Sequence, residues 1–385
     1  MQVAIAARDG DSSEVAVWSS VRPLEGIVVL DLTRLMPGAS ATRLLSDFGA
    51  QVVKIEEPPR GDPGRWFLPT QGANKIFELT NRGKKSVGLN LKDNRGKDLF
   101  LRLVSRADVV VESFRPGVMD RLGLGAEELL RHNPRLIYAA LTGYGRSGPF
   151  AHLPGHDINY LALSGLLDLM RDDDGQPSVP PIQIADLAGG SMQTVIGILL
   201  ALLSRIMTGR GQVVDANMLD GIMPLLVVPL ADMMVEEHQV KVSDLLSGTC
   251  ACYGVYKARD DRWISVGALE PKFWSKVCET LGCEQFVPHQ FAGAEKQSEM
   301  MATLSRCFAG KDAAEWFQLL GSACVAPVEK LSRDCMGITP RLTGTPGRQG
   351  GRPPVLGEDT REILLAIGLT RQEIDELAES QVIQT

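Results

Sequence analysis

The sequence predicts an α/β fold, in which a Rossmann-like large domain with a mostly parallel sheet is joined by long linkers to a smaller α/β domain. Short apolar runs alternate with helical segments at intervals typical of parallel sheets. Beyond residue 225, residues 253–256 and 260–266 predict an antiparallel hairpin instead. The chain of 385 residues is also long enough for two domains.

The first alternation is a compact βαβ unit. Residues 26–32 predict a buried strand, Met36-Pro37-Gly38 predicts a turn, residues 39–48 predict a helix, and residues 51–56 predict a second strand. The glycine-rich fingerprint of dinucleotide-binding folds is missing from the first turn. This absence disfavours a nicotinamide or flavin enzyme, and nucleotide binding by other residues stays open.

The alternation continues along the chain. Further strands are predicted at residues 86–91, 107–112 and 136–142, and helices at residues 93–105, 157–170 and 191–207. Ligands of parallel sheets bind at the carboxyl ends of the strands. The most apolar run, residues 195–203, is shorter than the roughly 20 residues that a membrane span requires. We therefore expect a buried helix there and no membrane anchor.

We expect four regions along the chain. They are a variable N-terminal extension over residues 1–24, a large domain over 25–224, a small domain over 225–335, and a linker with returning C-terminal helices over 336–385. The Gly- and Pro-rich tract 344–354 is typical of an extended linker.

Composition narrows the class of protein. The formal net charge of -7 at pH 7 argues against a nucleic-acid partner, which requires a concentrated basic face. The seven cysteines contain no CxxC pair, so reduced thiols are expected and a zinc site is not. Charged residues in the first 24 positions disfavour a signal peptide. We expect a cytoplasmic protein.

Two residues are candidates for acid–base chemistry. His156 follows Pro154-Gly155 and precedes a helix that Asp157 is predicted to cap, so its ring projects at a helix start. Asp186 lies just ahead of the next long helix among small and apolar residues, where desolvation raises the pKa of a carboxyl towards that of a proton donor. Each also has an ordinary structural alternative, as a surface histidine and a helix-capping aspartate. Together they indicate a facing acid–base pair.

Six motifs then occur in order. They are Phe114-Arg115-Pro116-Gly117-Val118, Arg121-Leu122-Gly123-Leu124-Gly125, Gly155-His156-Asp157-Ile158-Asn159-Tyr160, Ala185-Asp186 with Gly189-Gly190-Ser191, Thr208-Gly209-Arg210-Gly211-Gln212 and Gly267-Ala268-Leu269-Glu270-Pro271-Lys272-Phe273. From about Pro23 to its C-terminus the chain thus resembles the family III CoA-transferase superfamily. The motif at His156 resembles its α-methylacyl-CoA racemase branch.

The resemblance implies an acyl-CoA racemase that inverts the α-carbon of a 2-methylacyl-CoA through an enolate. It implies His156 and Asp186 as the proton-transfer residues on opposite faces of that carbon. It places Glu270 beside the aspartate, where a shared proton keeps the acid protonated. The backbone N–H of Asp157 is implied as the donor to the enolate oxygen. Coenzyme A enters as part of the substrate, so no separate cofactor and no metal are implied.

The resemblance also implies how coenzyme A is held and how the chain assembles. Lys and Arg pair with phosphates, although any single one is more often a solvated surface charge. The implied positions are Lys54, Leu89, Lys92, Ser113, Phe114, Arg115, Met119, Arg121, Gly155 and Tyr160. A homodimer is implied in which the subunits interlock through long linkers.

Two departures from the family pattern leave the substrate open. Residues 243–250 stand where racemases carry an Asn-x-Leu-Asp-Gly-Gly-type sequence, and the region 329–340 is shortened. The acyl chain and the pathway are therefore not specified.

Two alternative functions also stay open. In a CoA-transferase, Asp186 attacks the donor thioester and forms an acyl-aspartyl anhydride, and no base is needed at His156. The other alternative is an inactive CoA-ester-binding protein, which the intact His156, Asp186 and Glu270 disfavour.

Overall fold

The computed structural model describes residues 22–67, 71–172, 174–235, 242–332 and 337–385. The chain forms two compact units, one of Met1–Pro224 with Ile338–Thr385 and one of Leu225–Gly337. Residues 1–21 of the predicted N-terminal extension and residues 333–336 of the shortened region lie outside the described residues.

The regular elements of the described residues follow the chain in this order. The strands are β1 (Val28–Leu32), β2 (Gln51–Glu56), β3 (Lys85–Leu89), β4 (Val109–Glu112), β5 (Ile137–Thr142), β6 (Gln212–Asn217), β7 (Tyr253–Lys257), β8 (Trp263–Gly267), β9 (Val325–Pro327) and β10 (Ile383–Gln384). The helices are α1 (Leu35–Asp47), α2 (Gln71–Asn81), α3 (Asn94–Val104), α4 (Val118–Arg121), α5 (Ala126–His132), α6 (Asp157–Leu163), α7 (Leu166–Leu169), α8 (Gln193–Thr208), α9 (Met218–Ile222), α10 (Val227–Asp232), α11 (Val242–Leu246), α12 (Pro271–Leu281), α13 (Ala294–Phe308), α14 (Ala313–Leu320), α15 (Thr360–Ala366) and α16 (Arg371–Glu379). A π-helical turn, Ala185–Met192, runs directly into α8.

The first unit is built on a seven-stranded sheet of order β10-β3-β2-β1-β4-β5-β6. Its strands are parallel except for β10, which pairs antiparallel with β3. Apart from β10, this is the strand order of Rossmann-like folds. The predicted α/β class with a mostly parallel sheet is confirmed.

Both faces of this sheet are buried, which explains the continuous apolar runs of its strands. Successive strand residues point to opposite faces, so Val29 packs with α1 and α8 while Leu30 packs with α3, α5, α15 and α16. The C-terminal segment belongs to this unit, since α15 and α16 contribute Ile363, Leu364 and Ile374 to the core that contains Leu30.

The predicted turn at Met36-Pro37-Gly38 is wrong, because these residues lie in the first turn of α1. A proline is tolerated there since the first N–H groups of a helix have no intrahelical acceptor. The helix also packs tightly on the end of β1. A side chain at Gly38 would place its Cβ 2.3 Å from Cβ of Thr33.

The helices that carry the candidate acid–base pair also differ from prediction. Residues 157–170 form two short helices, α6 and α7, separated at Gly165, whose φ of 82° is left-handed. His156, not Asp157, is the N-cap of α6. The π-helical turn begins the next helix earlier than expected. Asp186 therefore lies inside that helix instead of ahead of it.

The helical segment Ala185–Thr208 is longer and less buried than the expected core helix. Among the described residues it alone has the length and composition to cross a membrane, with 24 residues that include an 18-residue stretch of mean hydropathy 1.7, and 33% of that stretch is buried. Ile198, Ala201 and Leu202 pack on the sheet, whereas an opposite apolar face that includes Leu200 and Leu203 is exposed. The helix is thus a layer of the first unit with a second apolar face on the surface of the single chain.

The second unit contains an antiparallel sheet of order β7-β8-β9 packed with helices. The predicted hairpin is confirmed, because β7 and β8 pair from Tyr253 opposite Gly267 to Lys257 opposite Trp263. The core of this unit combines aliphatic and aromatic side chains and includes Trp274, whose Nε1–H donates to the carbonyl oxygen of Phe286 over 3.1 Å.

Candidate active site

The carboxyl ends of several parallel strands open onto one cavity of about 750 Å³. This is the crevice in which parallel α/β sheets bind ligands. The residues that follow the strands supply much of its wall, namely Arg34, Leu35, Met36, Ser113, Phe114, Arg115, Gly143, Tyr144 and Met218. Asp62, Pro63 and Gly64 after β2 and Phe77, Thr80 and Asn81 of α2 also line it.

His156 lines this cavity with an exposed side chain. Its backbone is extended, and its N–H donates to Oδ1 of Asn159 over 3.0 Å, which fixes the start of α6. The loop before His156 can approach the rings of Tyr144 and Tyr160 only because residue 155 is glycine. A Cβ at Gly155 would lie 2.7 Å from the Tyr144 hydroxyl oxygen and 2.8 Å from Cε1 of Tyr160.

Asp186 lines the same cavity from the π-helical turn. Burial, followed by the nearby Asp157 carboxylate, raises its pKa to about 6. Glycines bring this turn close to α9, since a Cβ at Gly189 would lie 2.6 Å from the carbonyl oxygen of Met218. The hydroxyl of Ser191 donates to the carbonyl oxygen of Pro37 over 2.6 Å and ties the turn to α1. The turn that carries Asp186 is therefore held against two neighbouring helices, α1 and α9.

A single hydrogen bond connects the two helices that carry the candidate pair. The backbone N–H of Asp186 donates to Oδ1 of Asp157, the first residue of α6, over 2.9 Å. Tyr160 of α6 lies on the same cavity wall, buried against Tyr144 with ring centroids 5.0 Å apart. Burial, then Asp186, Tyr144 and Asp157, raise the Tyr160 pKa, so this hydroxyl stays neutral. The structure brings the two candidates to one cavity, and their roles in catalysis remain predictions.

The segment after β4 forms a wall with positive charge. The backbone N–H of Arg34 donates to Oγ of Ser113 over 2.9 Å, and its guanidinium lies 4.9 Å from the centroid of the Phe114 ring. Arg34 and the exposed Arg115 both line the cavity, and the Arg34 guanidinium also pairs with Glu57 over 3.3 Å. Arginine can bind an anion through two parallel hydrogen bonds. Sequence reasoning missed Arg34. Its position two residues after a parallel strand could have identified it.

Glu112, the last residue of β4, stabilises this wall through hydrogen bonds. Its Oε2 accepts the Phe114 backbone N–H over 2.7 Å, and its Oε1 accepts the Tyr138 hydroxyl over 3.2 Å. Burial raises the pKa of this carboxyl to about 7, against the opposing effects of these two donors and of Arg146. The conformation of the Phe114 backbone thus depends on a buried acidic group.

Lys54 does not reach the cavity, in contrast to its predicted contact with coenzyme A. Its fully buried Nζ lies 2.7 Å from Oδ2 of Asp62 and donates to the carbonyl oxygen of Thr33 over 2.8 Å. Burial alone would lower the Lys54 pKa, but the charges of Asp31, Asp62 and Glu56 outweigh it and raise the pKa. The ammonium group is already neutralised inside the protein.

Lys54 acts on the cavity wall through Asp62. Oδ1 of Asp62 accepts the N–H groups of Leu35 over 3.0 Å and Gly64 over 2.7 Å. Leu35 is not a glycine, yet its φ of 62° is left-handed, a conformation that costs about 1 to 2 kcal/mol. The buried ion pair therefore helps to hold a strained residue at the cavity surface.

Other predicted binding positions lie away from the cavity lining. The side chains of Leu89 and Met119 are packed in the core of the first unit, which leaves only their backbone available to a ligand. Lys92 is exposed and pairs with Oε1 of Glu57 over 2.6 Å, and the other oxygen of Glu57 pairs with Arg34. Arg121 is exposed on α4. Contacts of Lys92 and Arg121 with coenzyme A stay predictions.

Glu270 belongs to the second unit, where it is the exposed N-cap of α12. Its predicted place beside the aspartate stays a prediction, as does any effect of the altered segment 243–250, which lies in the same unit. Within the described parts of the chain, no group of three or more His, Cys, Asp or Glu side chains has the arrangement of a metal site.

Comparisons with known proteins identify the family. The family model for CoA-transferase family III matches residues 24–336. Human alpha-methylacyl-CoA racemase is 36% identical to the chain, over 94% of this chain and 98% of the human protein. Mouse succinyl-CoA:glutarate CoA-transferase is 33% identical, over 78% of this chain and 70% of the mouse protein.

The fold agrees with a solved structure as well. The crystal structure of Rv3272 from Mycobacterium tuberculosis superposes with a TM-score of 0.75 at 31% identity, over 89% of this chain and 99% of that one. Racemases and CoA-transferases thus both occur among the relatives. The chain belongs to CoA-transferase family III, as its sequence motifs indicated.

Proposed function

We propose that this family III enzyme is an acyl-CoA racemase, which inverts the α-carbon of a 2-methylacyl-CoA by two-base proton transfer. The observation that carries the proposal is that an imidazole, His156, and a carboxyl with a pKa raised to about 6, Asp186, line one cavity from separate helices. A racemase needs two such groups near neutrality. The human racemase also matches this chain over nearly its whole length.

In the proposed reaction the α-carbon lies between the two groups. One of them removes the α-proton, the thioester oxygen takes the negative charge of the enolate, and the other group returns a proton to the opposite face. The roles of His156 and Asp186 exchange with the direction of the reaction. The first N–H groups of a helix lack an intrahelical acceptor, so the N–H of Asp157 is the proposed donor to the enolate oxygen. Glu270 is proposed as the partner that shares a proton with Asp186.

Coenzyme A is proposed to enter as part of the substrate, with no other cofactor. Arg34 and Arg115 supply guanidinium groups at the cavity, and arginine can bind a phosphate through two parallel hydrogen bonds. Ser113, Phe114, Gly155 and Tyr160 are proposed to contact the rest of the thioester, because each lines the same cavity.

A CoA-transferase is the second candidate. In that reaction the Asp186 carboxylate attacks the thioester carbonyl carbon, the thiolate of coenzyme A leaves, and an acyl-aspartyl anhydride remains. It is favoured by relatives such as the acetyl-CoA:oxalate CoA-transferase of Acetobacter aceti, which is 35% identical over 79% of this chain. The transferase reaction gives His156 no role, and for this reason we favour the racemase.

Incubation with one acyl-CoA in deuterated water, without any acceptor acid, separates the two candidates. The racemase incorporates deuterium at the α-carbon, which mass spectrometry of the recovered thioester detects. Absence of deuterium, together with a hydroxamate trapped at Asp186 by hydroxylamine, would establish acyl transfer instead. An Asp186→Asn variant is the control in both arms.

We also propose that the enzyme is a cytoplasmic homodimer. The exposed apolar face of α8 supports this assembly, since Leu200, Leu203 and Ile206 are 61%, 60% and 79% exposed in the single chain. Light scattering coupled to an activity assay should find activity only in the dimer. An active monomer would contradict the proposal.

A further inference from the structure

We infer that the side chain of Asp157 is a positioning residue for Asp186, acting through the Asp186 backbone N–H. The inference rests on the proposed function, because it gives Asp157 a task in placing one of the two proton-transfer groups. It is separate from the proposed role of the Asp157 N–H, which concerns the enolate oxygen.

The geometry has the form of a helix cap supplied by another helix. Asp186 is the second residue of the π-helical turn, so its N–H is among those for which a helix start offers no intrahelical acceptor. Oδ1 of Asp157 accepts this N–H over 2.9 Å, although the two residues are 29 positions apart. Both residues are half-buried, where an unpaired N–H is costly. The carboxylate thus fixes the turn on which the Asp186 side chain stands.

The same carboxylate places a like charge beside Asp186. The other titratable groups on this wall are the phenols of Tyr160 and Tyr144 and the imidazole of His156, the N-cap of α6. The neighbouring helices α1 and α9 meet the turn through uncharged Pro37, Met218 and Ile222. After burial, Asp157 is the only further cause of the raised Asp186 pKa. One side chain therefore has two separable effects, on position and on protonation.

Two substitutions separate these effects. Asp157→Asn keeps an oxygen that can accept the Asp186 N–H and removes the charge, whereas Asp157→Ala removes both. Asp168→Asn is the matched control, because it neutralises an exposed aspartate of nearby α7 that pairs with Arg171. Circular dichroism establishes that each variant is folded.

Two measurements do not depend on catalysis. The ¹³C titration of aspartate-labelled enzyme, assigned with the Asp186→Asn spectrum, gives the midpoint of the Asp186 carboxyl. Hydrogen–deuterium exchange of the peptide that contains Asp186 reports whether its N–H is bonded. A third measurement, incorporation of solvent deuterium into the acyl-CoA α-carbon, reports on the reaction.

We expect the midpoint of Asp186 to fall by about 0.5 to 1 pH unit in both Asp157 variants, since a like charge is lost. Amide protection should persist in Asp157→Asn and disappear in Asp157→Ala. Deuterium incorporation at the pH optimum should be at least tenfold lower in Asp157→Ala than in Asp157→Asn, with the same KM in both variants. Asp168→Asn should match wild type throughout.

Equal amide protection in the Asn and Ala variants would overturn the inference, and an unchanged midpoint in both variants would show that the Asp157 charge does not act on Asp186. If the wild-type enzyme incorporates no deuterium, the racemase proposal fails. The amide protection then still decides whether Asp157 positions Asp186, and the midpoint decides whether its charge acts on Asp186.

Discussion

The guanidinium of Arg34 lies 4.9 Å from the centroid of the Phe114 ring, and the backbone N–H of Arg34 donates to Oγ of Ser113. The segments that follow β1 and β4 are thereby joined across the point at which the strand order of the sheet reverses. Rossmann-like folds bind nucleotides at this point. The contact places the positive charge of Arg34 at the cavity wall, where we propose that coenzyme A binds.

Replacing Arg34 should weaken binding of coenzyme A. We expect Arg34→Ala to raise the Kd by about 10- to 100-fold, because a charge-assisted phosphate contact contributes about 1.5 to 3 kcal/mol. Arg60→Ala is the matched control, since Arg60 lies over the Trp66 ring at 5.2 Å and does not line the cavity. Isothermal titration with coenzyme A measures both. Equal affinities for the two variants would remove Arg34 from the binding site.

Asp186→Asn should stabilise the protein at high pH while stopping the reaction. The pKa of Asp186 is raised to about 6, so the native state binds this proton more tightly than the unfolded chain does. The stability contributed by the protonated carboxyl is complete below about pH 4 and is lost as the pH rises through 6. The neutral amide avoids this loss.

We therefore expect Asp186→Asn to increase the free energy of unfolding by about 1 to 2 kcal/mol at pH 8, with partial exposure taken into account, and to make little difference at pH 4. Urea unfolding at the two pH values measures the effect. A gain of the same size at pH 4 would show that it has another origin than the burial of charge.

Gly155→Ala should impair the placement of His156. The added Cβ would lie 2.7 Å from the Tyr144 hydroxyl oxygen, so the loop must move away from its aromatic neighbours. We expect the rate of proton exchange to fall by about 10- to 100-fold, the loss associated with small displacements of a reacting group. Gly351→Ala is the control, because nothing lies within 4 Å of a Cβ there. Wild-type exchange rates in Gly155→Ala would show that the loop adapts.

Lys54→Met should be far more destabilising than Lys92→Met. Lys54 is fully buried between acidic groups, and removal of one partner of a buried ion pair costs about 3 to 5 kcal/mol. Lys92 forms an exposed pair with Glu57, which contributes at most about 1 kcal/mol. Thermal and urea unfolding compare the two variants. Similar stability in both would contradict the structural role assigned to Lys54.

The parts of the fold that sequence predicted are those with strong local patterns. The strands β1, β2, β4 and β5 are buried on both faces, so each appears as a continuous apolar run. The edge-side strand β6 was missed, because its sequence QVVDAN is partly polar and exposed. The early start of the helix at Asp186 was missed because a π-helical turn has no distinct sequence pattern.

The part of the candidate site that the sequence predicted consists of residues that are recognised by their position at the start of a helix. His156 and Asp186 occur at helix starts, and both line the cavity. The burial of Lys54 was not predictable, because its acidic partners Asp31 and Asp62 come from other segments of the chain. An isolated lysine on a strand gives no sign of such partners. Arg34 was missed because it lies outside every motif that suggested the family.

The most direct test of the acid–base pair follows each epimer of a 2-methylacyl-CoA separately through a His156→Ala variant in deuterated water. If His156 and Asp186 work on opposite faces, the variant exchanges the α-proton of one epimer without inverting it and leaves the other epimer unlabelled. Wild-type enzyme should label and interconvert both. Inversion of either epimer by His156→Ala at the wild-type rate would contradict the two-base account.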